Sequence, residues 1–170
     1  MNRIAIIGSG GAGKSTLARK LGLQLHQEVS HLDALFWKPN WVAAPKSEQI
    51  TVQTELVKQD RWIIDGNYGG TLDIRLNAAD TIIFLDYPRI LCLYRALKRV
   101  FQYRRRTRPD MGPGCKEKVD LPFLKWIWNF PRTTKPGIVS KLEQLSGEKR
   151  ILVFRSPGEV NWFLKKLEHT

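Results

Sequence analysis

"RIAIIGSGGAGKSTLARKL", residues 3–21, decides the fold of this chain. Ile4 to Ile7 is an apolar run with the length of a buried strand. It ends in a glycine-dense octet, Gly8 to Ser15, after which Thr16, Leu17, Ala18 and Leu21 fall at helical spacing. A backbone with few β-carbons can curl so that successive N–H groups point at one anion, and the helix behind it adds free N–H groups and a positive dipole end. Gly8, Gly13, Lys14 and Ser15 fill the Walker A spacing, G-x-x-x-x-G-K-[ST]. The expected cradle for a polyphosphate is therefore Gly8, Gly10, Gly11, Ala12, Gly13, Lys14, Ser15 and Thr16. Lys14 would reach the β and γ phosphates, and the Ser15 hydroxyl would coordinate Mg2+. A glycine turn that only joined a strand to a helix would not require Lys and then Ser at those places.

Composition sets the outer bounds. The chain has 170 residues and 42% hydrophobic content, enough for one domain, residues 1–170, with a real core. Two cysteines, Cys92 and Cys115, supply neither a disulfide framework nor a structural zinc site, and His26, His31 and His169 share no ligand spacing with them. The opening residues read as strand and loop instead of a signal peptide, and no apolar run approaches the roughly 18–20 residues that span a bilayer. The expectation is a cytoplasmic protein with no membrane partner.

The charge is less ordinary: +12, with a sequence pI near 10.0. Ten Lys and Arg between Pro88 and Lys118, against Asp110 and Glu117, give that segment a local net of +8. It faces polyanions, nucleotide phosphates or nucleic acid, unless it is a solvated surface. Weak non-specific nucleic-acid binding is expected from charge alone.

Along the chain, strands and helices alternate. After the helix from Lys14 to about His26 come a short strand to Asp33, a helix from Ser47 to about Gln59, the strand "RWIID" ending at Asp65, and "DTIIFLD" ending at Asp86. A long helix runs from Pro88 to about Arg106, with Leu93, Leu97, Val100 and Phe101 as its core stripe and Arg95, Arg99, Gln102 and Arg106 opposite. "RTRPDMGPGCKEK", residues 106–118, is a Pro- and Gly-rich loop expected to be mobile; its basic setting would favour a Cys115 thiolate, but an ordinary loop cysteine is the expected reading. Asp120 caps a further helix, another follows Pro136, "RILVF" is the fifth strand and Pro157 opens the closing helix. This alternation predicts a parallel α/β sheet with ligands at the carboxyl ends of its strands, where Gly8, Asp33, Asp65 and Asp86 all lie.

"GSGGAGKST", the "DG" at Asp65-Gly66, the Arg95-x-x-x-Arg99 pair and "SPGEV" after the last strand resemble the adenylate-kinase-like P-loop kinases. More narrowly, "HLDALFWKPNW", "IIDGNY" and "FLKWIWNF" resemble the small bacterial P-loop proteins known as DNA topology modulation protein, FlaR-related. The resemblance implies a three-layer fold with a five-stranded parallel sheet in the order 2-3-1-4-5, helices on both faces, an ATP site and a small arginine-rich lid. It departs from the adenylate kinases after "DG", where Asn67 and Tyr68 stand in place of an acceptor-gripping arginine and Arg75 is the nearest substitute.

The expected roles follow. Lys14 and Ser15 contact phosphate and Mg2+; Asp65 holds the metal's water shell, with Asp86 as its rival. Asp33 is a general base or acceptor anchor, or else a cap for the bend at Ala34 and Leu35. The resemblance places Arg95 on the adenine, Arg99 on the phosphates, Ser156 and Pro157 at the nucleotide, and Arg104, Arg105, Arg106 and Arg108 in a lid over residues 95–118. Residues 33–60 would bind the acceptor, with Phe36 and Trp37 the aromatics nearest it. Two functions remain open: an ATP-dependent kinase for a small hydroxyl- or phosphate-bearing acceptor, catalysed by Lys14, Asp33, Asp65, Arg99 and Arg106, and a nucleic-acid-associated NTPase that affects DNA topology.

Overall fold

The computed structural model describes residues 1–104 and 106–168; Arg105 of the expected lid and His169 lie outside the described residues. The chain forms β1 (Arg3–Gly8), α1 (Lys14–Leu25), β2 (Val29–His31), α2 (Leu32–Phe36), β3 (Trp37–Lys38), β4 (Val42–Ala43), α3 (Lys46–Leu56) and β5 (Trp62–Asp65). There follow α4 (Leu72–Ala78), β6 (Thr81–Leu85), α5 (Arg89–Gln102), α6 (Leu121–Thr133), α7 (Lys135–Leu145), β7 (Arg150–Phe154) and α8 (Pro157–Leu167). Five parallel strands make one sheet in the order β2-β5-β1-β6-β7, and β3 and β4 pair antiparallel as a separate hairpin. The sequence reading anticipates five strands; the hairpin adds two to the count, which changes the numbering of the later strands.

The central strands are buried on both faces, which is why they read as continuous apolar runs. On β1, Ile4 and Ile6 pack with Leu17 and Leu21 of α1 and with Val160 and Phe163 of α8. Ala5 and Ile7 point the other way, against Leu72 and Leu76 of α4 and Ile138 and Leu142 of α7. Each fully buried Ile or Leu contributes about 1.5–3 kcal/mol. Asp80 ties the sheet together at its amino end, accepting from Asn2 N–H at 2.9 Å and Arg3 N–H at 2.8 Å. Among the described residues no helix is long and apolar enough to cross a membrane.

The orientation of α5 departs in part from the expectation: Leu93 packs against the core and Leu97 and Val100 are half-buried, but the most buried face lies elsewhere. Its buried residues are the small Cys92 and Ala96, while Phe101 of the predicted core stripe is 74% exposed and Ile90 and Tyr94 lie exposed with it. The reason is what α5 sits on: a β-carbon at Gly11, where φ is +74°, would strike the Cys92 carbonyl. The helix rests on the backbone of the glycine loop, and only a face of small side chains lets it come so close. Arg95 and Arg99 flank that face and are thereby directed at the loop, where both line the cavity described below.

Candidate active site

A cavity of about 1000 Å3 opens along the carboxyl end of the sheet, lined by Gly10 to Thr16 from the loop. Lys14 extends back over the loop, its Nζ donating to the Gly8 and Ser9 carbonyls at 2.9 Å each. Desolvation pulls its pKa below the ordinary lysine value, an effect that Asp33 and Asp65 partly offset. Both carboxylates are therefore electrostatic neighbours of this ammonium. Gly8 itself does not line the cavity; its N–H donates to Asn67 Oδ1 at 3.2 Å, joining β1 to the turn after β5.

Asp65 ends β5, directly beside β1, and is buried. Its Oδ2 accepts from the Ser15 hydroxyl at 2.7 Å, and its Oδ1 lies 2.5 Å from His31 Nδ1. Burial alone would lower the His31 pKa, but the hydrogen bond and charge of Asp65, with Asp110 beyond, raise it. Asp86 is elsewhere: it pairs with Lys135 Nζ at 2.8 Å. A hydroxyl and a carboxylate oxygen in contact form a hard-oxygen pair that fits Mg2+, an ion that takes few protein ligands and completes its shell with water and phosphate oxygens. The role of His31 on this carboxylate escaped the sequence reading, because the pairing depends on β2 lying beside β5 with His31 opposite Asp65.

Asp33 sits in the first turn of the short α2, and its Oδ1 accepts from the Tyr68 hydroxyl at 2.9 Å. Burial and the Asp33 charge push the Tyr68 phenol far above its ordinary value, so it remains a donor. Phe36 is buried and packs edge-on against Tyr68 at 5.1 Å, which makes it a support; Trp37 lines the cavity and packs edge-on against Trp41. Arg75 does not reach the cavity. It is fully buried, with Nη2 donating to the carbonyls of Gly66 at 3.0 Å and Asn67 at 2.9 Å and Nη1 to Gln53 Oε1, and burial lowers its pKa to about 10. It clamps the turn that carries Tyr68.

The arginines divide by position. Arg95 lies against the loop, its Nη1 3.5 Å from the Ala12 carbonyl and its guanidinium 5.7 Å from the Tyr87 ring centre. Arg99 pairs through Nε with Glu117 Oε1 at 3.3 Å. Arg106, expected over the phosphates, is exposed and does not line the cavity; Arg108 is buried instead and pairs with Glu117 and, at 3.2 Å, Asp110. Arg104, bridged in parallel to Glu117, is exposed like Arg106. Burial would raise the Asp110 pKa, yet Arg108, its own N–H and the Ser15 hydroxyl hold it below the carboxylate range. At the nucleotide end, Pro157 lines the cavity, whereas Ser156 caps α8 by accepting from Glu159 N–H at 3.3 Å.

The loop from 106 to 118 is folded onto the β3–β4 hairpin. Trp41 Nε1 donates to the Lys116 carbonyl at 2.9 Å, the Cys115 thiol to the Lys38 carbonyl at 3.1 Å, and Asn40 N–H to the Gly114 carbonyl at 3.3 Å. Cys115 is fully buried, the setting of a plain structural cysteine and not of an accessible reactive thiol. Asp110, Glu117, Tyr68 and His31 are the polar groups that sequence reasoning missed here; two acids inside a run of ten cations were the available signal for the first pair.

No family model matches the chain. It is 28% identical over 128 residues to Uncharacterized protein YqaC of Bacillus subtilis (strain 168), a match covering 72% of this chain and 69% of that one. Among solved structures it is similar to shikimate kinase from Acinetobacter baumannii in complex with shikimate, at a TM-score of 0.60 and 14% identity over 98% of this chain and 90% of that chain. It is also similar to deoxyadenosine kinase from M. mycoides with products dcmp and a flexible dcdp bound, at 0.53 and 16% over 98% of each chain. A sugar kinase from Janibacter sp. HTCC2649 gives 0.52 and 13%, covering 99% and 91%. The chain shares the fold of these three structures.

Proposed function

We propose that the chain is an ATP-dependent kinase that transfers the γ-phosphoryl group of ATP to a small acceptor. The observation that carries this reading is Ser15 bonded to Asp65 beside Lys14, in a glycine loop whose cavity continues to a second carboxylate, Asp33. In this reading the unit is the single domain 1–170, with the acceptor end built by residues 33–60 and a lid by residues 95–118. The resemblance to the adenylate-kinase-like proteins supports the same division.

Lys14 and the loop N–H groups hold the β and γ phosphates. Ser15 and Asp65 would hold Mg2+, which supplies charge neutralisation at the phosphate oxygens. Arg95 and Pro157 border the nucleotide, Arg99 and Arg108 neutralise charge as the phosphoryl group moves, and Asp33 takes the proton of the acceptor hydroxyl. The exposed Arg104 and Arg106 favour a second reading, an NTPase acting on nucleic acid. A screen of ATP consumption against hydroxyl-bearing metabolites, run beside a DNA arm, separates the two. Acceptor-dependent turnover supports the kinase, and strong DNA stimulation with no acceptor effect overturns it.

A further inference from the structure

Glu117 is buried in a segment that carries ten Lys and Arg, and it has no part in the transfer chemistry above. Its carboxylate is shared: the Nε atoms of Arg99, from α5, and Arg108, from the loop that follows, both pair with the one oxygen Oε1. Nε is the guanidinium edge nearest the chain, so the two Nη groups of Arg99 and Nη2 of Arg108 lie outside these pairings, while Arg108 Nη1 pairs with Asp110 at 3.2 Å. All three side chains line the cavity. The Glu117 N–H donates to the Arg106 carbonyl at 3.0 Å, which anchors the backbone that carries the carboxylate. The Arg99 guanidinium lies 5.8 Å from the ring centre of Phe123, and that ring rests on the glycine loop, where a β-carbon at Gly10 would strike it. Arg99 is thus fixed on two sides, by a carboxylate at its Nε edge and by an aromatic ring seated on the phosphate cradle.

From this geometry we infer that Glu117 is a positioning residue for the phosphoryl transfer: it holds Arg99 and Arg108 by their inner edges and so presents their outer donors to the moving phosphoryl group. The inference rests on the kinase reading above and deepens it. Two guanidinium groups brought side by side in a buried place repel each other. Desolvation, and after it the Arg108 charge, pull the Arg99 pKa below its ordinary value, and Glu117 opposes them. A single carboxylate between the two removes the repulsion and leaves the fork-shaped Nη side for phosphate oxygens. Two long side chains are then ordered on folding and not during the reaction, which is how preorganised charge accelerates transfer. Glu117 itself takes no proton and bonds no phosphate oxygen. Its effect is confined to the phosphoryl group in flight, because bound ADP is held by Lys14 and the loop N–H groups.

The test compares the full native chain with folded Glu117→Gln by isothermal titration of two probes, Mg-ADP and Mg-ADP with aluminium fluoride, the second a mimic of the phosphoryl group in flight. Mg-ADP affinity should stay within about threefold, while affinity for the aluminium fluoride complex should fall by about 100-fold. The kcat for hydrolysis of Mg-ATP by water should fall by a similar factor with KM little changed. Glu117→Asp keeps the charge on a shorter stem, so it should lose only about tenfold, again for the aluminium fluoride complex alone. That variant decides the matter if Glu117→Gln does not fold. Equal losses for the two probes would mark a general support of the loop, and no loss would show that the arginines are placed without Glu117; either result overturns the inference. Failure of the kinase reading looks different: the native chain then binds neither probe, and the inference falls with it.

Discussion

At the residue scale the arrangement turns on two side chains that sequence spacing places within one turn of helix. Lys14 satisfies its ammonium on loop carbonyls and not on a carboxylate, so its charge stays available to an incoming anion. Lys14→Ala should lower ATP affinity by roughly 100-fold, the loss of one or two charge-assisted hydrogen bonds, while circular dichroism stays native; isothermal titration measures the first. Unchanged affinity would refute the assignment. Asp65 and Asp86 both end apolar strands, yet only Asp65 touches Ser15. Asp65→Asn should cut kcat by about two orders of magnitude or more, with ATP binding far less affected, and Asp86→Asn should leave kcat within a few-fold. Equal losses in the two variants would show that the metal is organised elsewhere.

At the element scale, the contact between the glycine loop and α5 sets the direction of Arg95 and Arg99. Gly11→Ala puts a β-carbon into the Cys92 carbonyl at a φ of +74°, and such strain costs about 1–3 kcal/mol. The melting temperature should drop by roughly 2–10 °C, with ATP affinity falling as α5 is pushed away, and differential scanning fluorimetry with and without ATP reads both. The sheet offers a pH-dependent test. Burial would raise the Asp80 pKa, but hydrogen bonds from Thr81, Arg3 and Asn2 outweigh it and hold it below the usual range. A depressed carboxylate stabilises the fold above its unfolded pKa of about 3.9, and the contribution is lost as pH falls through the folded value. Asp80→Asn should therefore melt a few degrees below the native chain at pH 7, and the gap should start to close as the pH falls below about 4, towards the folded value. A gap as large at pH 2 as at pH 7 would mean that the side-chain amide disturbs packing instead.

At the scale of the whole molecule, the loop of residues 106–118 and the hairpin are one assembly. The Pro and Gly content of residues 106–118 suggests a mobile loop, but Glu117, Arg99 and Arg108 bury an ion-pair cluster beneath it, and Trp41 and Cys115 fasten it to the hairpin. Breaking a buried pair by removing one partner costs about 3–5 kcal/mol, because it leaves an uncompensated charge. Glu117→Gln should therefore speed amide exchange across residues 106–118 by at least about tenfold in the absence of nucleotide, with β1 and β6 unaffected, as hydrogen exchange with mass spectrometry would show. Fast exchange in the native chain would mean that the loop is not held by this cluster.

The alternation of apolar strands with helices, and the chemistry of residues 8–16, were determined locally: strand periodicity, glycine freedom and the Lys-Ser pair act within a few residues of one another. Strand alternation likewise marked Gly8, Asp33, Asp65 and Asp86 as strand ends at one edge of the sheet, although Asp33 falls two residues past β2, in α2. Tertiary structure alone decided which acid meets Ser15, because that depends on β5 and not β6 presenting its last residue to the loop's hydroxyl. It decided which face of α5 turns inward, since a helix seated on glycine backbone buries small residues and leaves Phe101 outside, against its hydrophobicity. It also decided that Arg108 enters the cavity and Arg106 does not, and that Arg75 clamps a turn. Charge and size are readable from a chain; which group meets a charge is set by what folding brings together, here the Glu117 carboxylate with Arg99 across 18 residues and the Gln53 amide oxygen with Arg75 across 22.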